Sequence, residues 1–138
     1  MVGRILVLNN EPFLLELMEQ ILKSEGYERV VGMMAPYNLS EILAVNPDLL
    51  ILDVVAGQEV AAARFVQSLK FRLAGKPISL IVFMARTAQG RAMQVALGKE
   101  VYVLPRSFSI AAFLHTVREA LDDRDVQRAE WRSSASGP

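Results

Sequence analysis

The chain has 138 residues, 52% of them hydrophobic, and 15 acidic side chains balance 15 basic ones, so it is one domain's worth of protein with no net field toward nucleic acid or an anionic membrane. It has no cysteine and one histidine, His115, which removes disulfides, thiolate chemistry, multi-histidine metal sites and most histidine-based triads. No stretch approaches the roughly 20 apolar residues that span a bilayer, and the N-terminus lacks the pattern of a signal peptide, so a cytoplasmic protein is expected.

Along the chain, short apolar runs alternate with longer amphipathic segments. Arg4–Leu8 is short and β-prone, and Asn9, Asn10 and Pro12 close it. From Phe13 the period turns helical through Leu14, Leu17, Met18, Ile21 and Leu22, with Gly26 as the stop. Arg29–Met34 predicts a second strand. Leu39, Ile42 and Leu43 mark a short helix that ends near Asn46 and Pro47.

Asp48–Asp53 (DLLILD) is the clearest buried strand. Ala62, Phe65, Val66, Leu69 and Leu73 then form a helical stripe, broken by Gly75 and Pro77. Ile78–Met84 predicts strand four. Ala88–Leu97 predicts a weaker helix burying mainly Ala92, Met93 and Ala96. Val101–Leu104 is a fifth strand, and Ile110, Phe113, Leu114, Val117 and Leu121 line one face of a last helix. Five strands alternating with five helices argue for a parallel α/β sheet covered on both faces. Beyond Leu121 the stripe fades, dividing the chain into a domain over 1–121 and a helix extension with a flexible tail over 122–138.

Ligands of open parallel sheets bind at the carboxyl ends of the strands. The loops there supply Asn9, Asn10, Glu11 and Pro12; Asp53 to Gly57; Met84, Ala85 and Arg86; and Pro105, Arg106 and Ser107. The first loop has no glycine-rich phosphate cradle, which disfavours a nucleotide or flavin. Two carboxylates and no histidine or lysine are thin for acid–base or nucleophilic catalysis, so no enzyme is expected. A small-ligand site would need an open pocket beside Asp53, and Met84 argues against one.

The order of these elements, the opening ILVLNNEPFLLELMEQILKSEGYE, the segment PDLLILD and the tyrosine in VYVLPRSF resemble the receiver domain of two-component response regulators, over residues 4 to about 121. The resemblance implies a doubly wound, flavodoxin-like three-layer sandwich, its five parallel strands in order 2-1-3-4-5, with helices one and five on one face. In that family an aspartate ending strand three accepts a phosphoryl group. An acidic pair after strand one helps to hold Mg²⁺, a hydroxyl ends strand four and a lysine ends strand five. The metal neutralises the repulsion between carboxylate and phosphoryl group, and the lysine and hydroxyl hold the transferred oxygens.

Of that set, Asp53 matches the acceptor. The acidic pair is replaced by Asn9 and Asn10, with Glu11 as partial compensation if its side chain turns inward. Met84 stands for the hydroxyl, and is expected to plug the pocket. The lysine falls on Pro105, with Arg106 in place of the following proline; alternatively Pro105 is the family's cis proline and Leu104 replaces the lysine. Tyr102 matches the switch aromatic, with little switching expected. Arg86 and Arg106 are expected to be solvated, the sharper reading being that one pairs with Asp53 and imitates the activated state. Burial without a metal would raise the pKa of Asp53.

The resemblance therefore implies a degenerate receiver, a phosphorylation-independent interaction module without a cofactor. It would bind a protein partner or a second copy through the face of helix four, strand five and helix five. Arg91, Gln94, Lys99, Arg118 and Glu119 lie there, with Trp131 as a docking anchor in the tail and His115 as a surface residue. No direct nucleic-acid or membrane contact is expected. The alternative is a working acceptor at Asp53, with Mg²⁺ at Asn10, Asp53 and Val55.

Overall fold

The computed structural model describes residues 3–73, 77–85, 88–98 and 101–135. In chain order it contains β1 (Arg4–Leu8), α1 (Pro12–Ser24), β2 (Arg29–Met33), α2 (Leu39–Val45), β3 (Leu49–Asp53), α3 (Glu59–Arg72), β4 (Ser79–Phe83), α4 (Ala88–Leu97), β5 (Val101–Leu104) and α5 (Ile110–Ala135). The strands form one parallel sheet in the order β2-β1-β3-β4-β5, as the resemblance implied.

Alternation along each strand sorts the apolar side chains into two cores. Ile5, Val7, Leu49, Ile51, Ile81 and Phe83 face α1 and α5, meeting Leu15, Met18, Leu22, Phe113, Val117 and Leu121. Leu6, Leu8, Leu50, Leu52, Leu80 and Val82 face α2, α3 and α4, meeting Ile42, Val66, Leu69, Met93 and Leu97. Because β1, β3 and β4 are covered on both sides, their sequences are apolar at nearly every position.

Local chemistry sets the element ends. Glu11 caps α1, its Oε1 accepting from the Phe13 N–H at 3.2 Å, and Pro12 opens the first turn where its missing N–H costs nothing. Asn38 caps α2 by accepting from the Ser40 N–H at 2.8 Å, and Asn46 ends it in a left-handed conformation with φ of 54°.

Two sequence expectations are corrected. Ala92 and Ala96 are exposed, and α4 buries Met93 and Leu97, which among its described side chains reach the second core. Ile110 stands exposed at the start of α5, where the helix has not yet come over the sheet. The helix continues unbroken past Leu121 to Ala135, and Arg124 is buried, ion-paired with Asp48 at the foot of β3. The Asp48 Oδ2 also accepts from the Arg4 N–H at 2.8 Å, so this pair ties α5 to β1 and β3 together. The helix extension expected beyond residue 121 is present, and its first turn carries a packed ion pair.

Candidate functional site

The strand ends place Asn9, Asn10, Asp53, Met84, Pro105 and Arg106 in one layer of the molecule, since β1, β3, β4 and β5 run parallel with their carboxyl ends together. Asp53 closes β3 beside Phe83, and its side chain is 13% exposed. Burial pushes its pKa up, and the positive charge of Arg106 partly offsets that rise.

Arg106 is the one described cation that reaches it. The guanidinium Nη2 donates to Asp53 Oδ2 at 3.1 Å, with Arg106 itself 44% exposed. This corrects the expectation of a solvated arginine and takes the sharper reading. The reason lies in the loop after β5. Phe108 stacks on Phe83 with ring centroids 4.6 Å apart and also meets Phe113 at 5.4 Å. That aromatic anchor draws the segment after Pro105 down over the sheet end, leaving Arg106 beside Asp53. Of the described peptide bonds, the cis one is Ala35–Pro36, so the cis proline implied at Pro105 by the second alignment is absent. Arg86 lies outside the described residues.

The oxygens that would bind a divalent cation are committed elsewhere. Asn9 is buried, and its Oδ1 accepts from the Glu11 N–H at 2.8 Å, a local turn. Asn10 Oδ1 accepts from the Ala35 N–H at 2.8 Å and from the Tyr37 hydroxyl at 3.2 Å, clamping the segment after β2. The Val55 carbonyl accepts from the Gln58 N–H at 2.9 Å. Glu11 does not turn inward as compensation, because it caps α1. What remains is one carboxylate already paired with an arginine, and no described group of three acidic or histidine side chains could hold a metal. Mg²⁺ favours anionic oxygens in strict octahedral array, and these residues do not fit it.

Met84 departs from its expected place. Its side chain is buried in the second core with Val82 and Met93, while its N–H donates to the Leu104 carbonyl at 3.1 Å. It does not close the space beside Asp53. A depression of about 230 Å³ opens there, bordered by Asn10, Tyr37, Asp53, Val55, Gln58, Ala61, Ala62 and Phe65. Tyr37 and Phe65 stand tilted to each other with centroids 5.8 Å apart. Burial raises the pKa of Tyr37, and the charge of Asp53 adds to the rise. Neither aromatic was singled out from sequence. Phe65 read as a core stripe residue, and Tyr37 fell between the expected second strand and short helix; its position soon after a strand end was the available signal.

Tyr102 packs its ring against the first core and donates its hydroxyl to the Asp123 carboxylate on α5. Arg91, Gln94, Arg118 and Glu119 are exposed, and His115 is exposed beside Glu119, 3.5 Å away. Lys99 lies outside the described residues, as does the side chain of Trp131.

No protein-family model matches the sequence, and no curated protein does. Solved structures do match in fold. NtrX from Brucella abortus superposes with a TM-score of 0.69 at 18% identity, over 100% of this chain and 31% of its own, so the chain spans about a third of that protein. A CheY-like response regulator receiver domain protein from Methanospirillum hungatei gives 0.70 at 20% identity, over 92% of this chain and 99% of its own. The chemotaxis protein CheY4 of Vibrio cholerae gives 0.72 at 17% identity, covering 88% and 100%. The chain has the receiver fold.

Proposed function

We propose that this chain is a receiver-type signalling module that acts by protein contact, without phosphoryl transfer and without a bound metal. The observation that carries the reading is the pairing of Asp53 with Arg106 at 3.1 Å, beside an asparagine whose oxygen is already spent on Ala35 and Tyr37. A carboxylate attacks a phosphoryl group only when its repulsion is neutralised in the reacting geometry. Here the neutralising charge is the fixed guanidinium of Arg106, already paired with Asp53. Replacing two acids by Asn9 and Asn10 also removes the negative charge that would draw Mg²⁺ inward.

On this reading the pair holds the strand ends in one arrangement, and output runs through the face of α4, β5 and α5. Exposed Arg91, Gln94, Arg118 and Glu119 offer both charge signs there, and Val95 adds an apolar side chain that is 84% exposed. Mixed charge around a small apolar centre suits a protein partner or a second copy of the chain better than nucleic acid. Two-component partners are cytoplasmic, and we place this module with them. Among the described residues no helix is long and apolar enough to cross a membrane.

The rival reading, Asp53 as a phosphoacceptor with Mg²⁺ at Asn10, Asp53 and Val55, has one observation on its side. Asp53 Oδ1 has no protein partner among the described residues. Calorimetric titration of Mg²⁺ and then beryllofluoride decides between them. The expected result is no saturable heat in either the wild type or Asp53→Asn. Binding that Asp53→Asn abolishes would establish the rival.

A further inference from the structure

The depression beside Asp53 lies where the strand order reverses between β1 and β3, the place at which open parallel sheets take their ligands. Its wall is held from several directions. Asn10 Oδ1 binds both the Ala35 N–H and the Tyr37 hydroxyl, fixing the segment after β2, while Phe65 and Ala61 stand on α3 opposite. The lining is mostly apolar, with Val55, Ala61, Ala62 and two aromatic rings, and it contains one carboxylate.

That carboxylate is only half used. Arg106 occupies Oδ2, and Oδ1 of a side chain that is 13% exposed has no protein partner among the described residues. That oxygen is open to the depression, and a carboxylate oxygen without a protein donor is met best by a cationic one. Aromatic rings beside it add attraction for a cation through their quadrupoles. A depression of about 230 Å³ admits a body the size of one aromatic ring with a short substituent, and excludes a nucleotide.

We propose that this depression binds a small organic cation, an ammonium or amidinium carried on a flat apolar body. The charged group donates to Asp53 Oδ1, and the apolar body lies against Tyr37 and Phe65. Arg106 repels it weakly, since that guanidinium is nearly half exposed and its charge is screened by solvent. The inference rests on the proposed reading that Asp53 carries no phosphoryl group, since a phosphoryl group would compete for Oδ1.

Benzylamine, benzyl alcohol and benzoate are matched probes that differ in charge. Each is titrated into the ¹⁵N-labelled chain, and amide shifts are followed. Benzylamine is expected to give saturable shifts centred on Asn10, Tyr37, Asp53, Gln58 and Ala61, with the alcohol and the carboxylate weaker by about tenfold or more. Asp53→Asn is expected to weaken benzylamine by about tenfold. Ala61→Phe fills the depression from the exposed side of α3 and leaves Asp53 in place, so it is expected to remove binding while the spectrum stays folded. Equal binding of benzoate, shifts centred elsewhere, or benzylamine binding that survives Ala61→Phe would each overturn the proposal.

Discussion

Asp53 and Arg106 form an unequal pair. The aspartate side chain is 13% exposed and the arginine 44%, so removing one partner is not equivalent to removing the other. Asp53→Asn takes away a charge that burial disfavours and leaves an arginine that water can solvate. It is expected to raise stability by about 1 kcal/mol at neutral pH. Arg106→Ala leaves the charge buried and unpaired, and is expected to cost about 1 kcal/mol. The pH dependence follows from the raised pKa of Asp53. The folded state holds this proton more tightly than the unfolded state, so the wild type gains stability as pH falls from the raised value toward the usual carboxylate value of about 4. The advantage of Asp53→Asn therefore shrinks over that window. Urea unfolding of both proteins at several pH values measures it, and a gap that widens on acidification would contradict the assignment. Asp53 was legible in the sequence because an acid closing a buried apolar strand stands out. The partner was not, since an arginine's reach through four rotatable bonds cannot be read from spacing; the Phe108 anchor that decides it is a tertiary contact.

The helices and strands themselves were largely legible, because each had a clear period and chemical stops. Asn38, Asn46 and Pro12 end or open elements where their backbone chemistry requires. The errors came where periodicity is weak. In α4 alanines fall on more than one face, and no rule of spacing tells Ala92 and Ala96 from Met93 and Leu97 until the sheet is in place. In α5 the stripe is sound from Phe113 onward. Phe113 is fully buried and touches both Phe83 and Phe108, so it supports the core and the loop that carries Arg106. Phe113→Ala is expected to cost about 3–5 kcal/mol by chemical denaturation. It should also loosen the loop after β5, seen as faster amide exchange at Arg106 and Ser107 than at Asn9. Uniform exchange at the two loops would show that Phe113 does not support the site.

At the scale of the whole molecule, the alternation of elements specified a parallel sheet, but the order 2-1-3-4-5 came from resemblance, since hydrophobic period does not encode which strands are neighbours. How the helix extension is tied to the domain was not legible for a related reason. A fading apolar stripe read as the end of the domain, whereas the last tie is ionic. Arg124 is buried against Asp48, and Tyr102 donates to Asp123. A chain ended after Leu121 is thus expected to be about 3 kcal/mol less stable than one ended after Asp125, because it leaves Asp48 with only the Arg4 N–H. Equal urea midpoints for the two would show that the ion pair adds nothing.

Strand β3 carries an aspartate at each end, Asp48 before it and Asp53 closing it, and both find arginines in the last part of the chain, Arg124 and Arg106. On the ribosome, where domains emerge from the N-terminus at about 5–20 residues per second, the central strand is thus made long before the groups that neutralise its ends. Until Arg106 and then Arg124 leave the exit tunnel, the nascent sheet has a middle strand flanked by two uncompensated charges. The chain is thereby disposed to delay closure of its centre until the segment carrying Arg106 and Arg124 has emerged, so that β4 and β5 dock onto a strand still free to receive them.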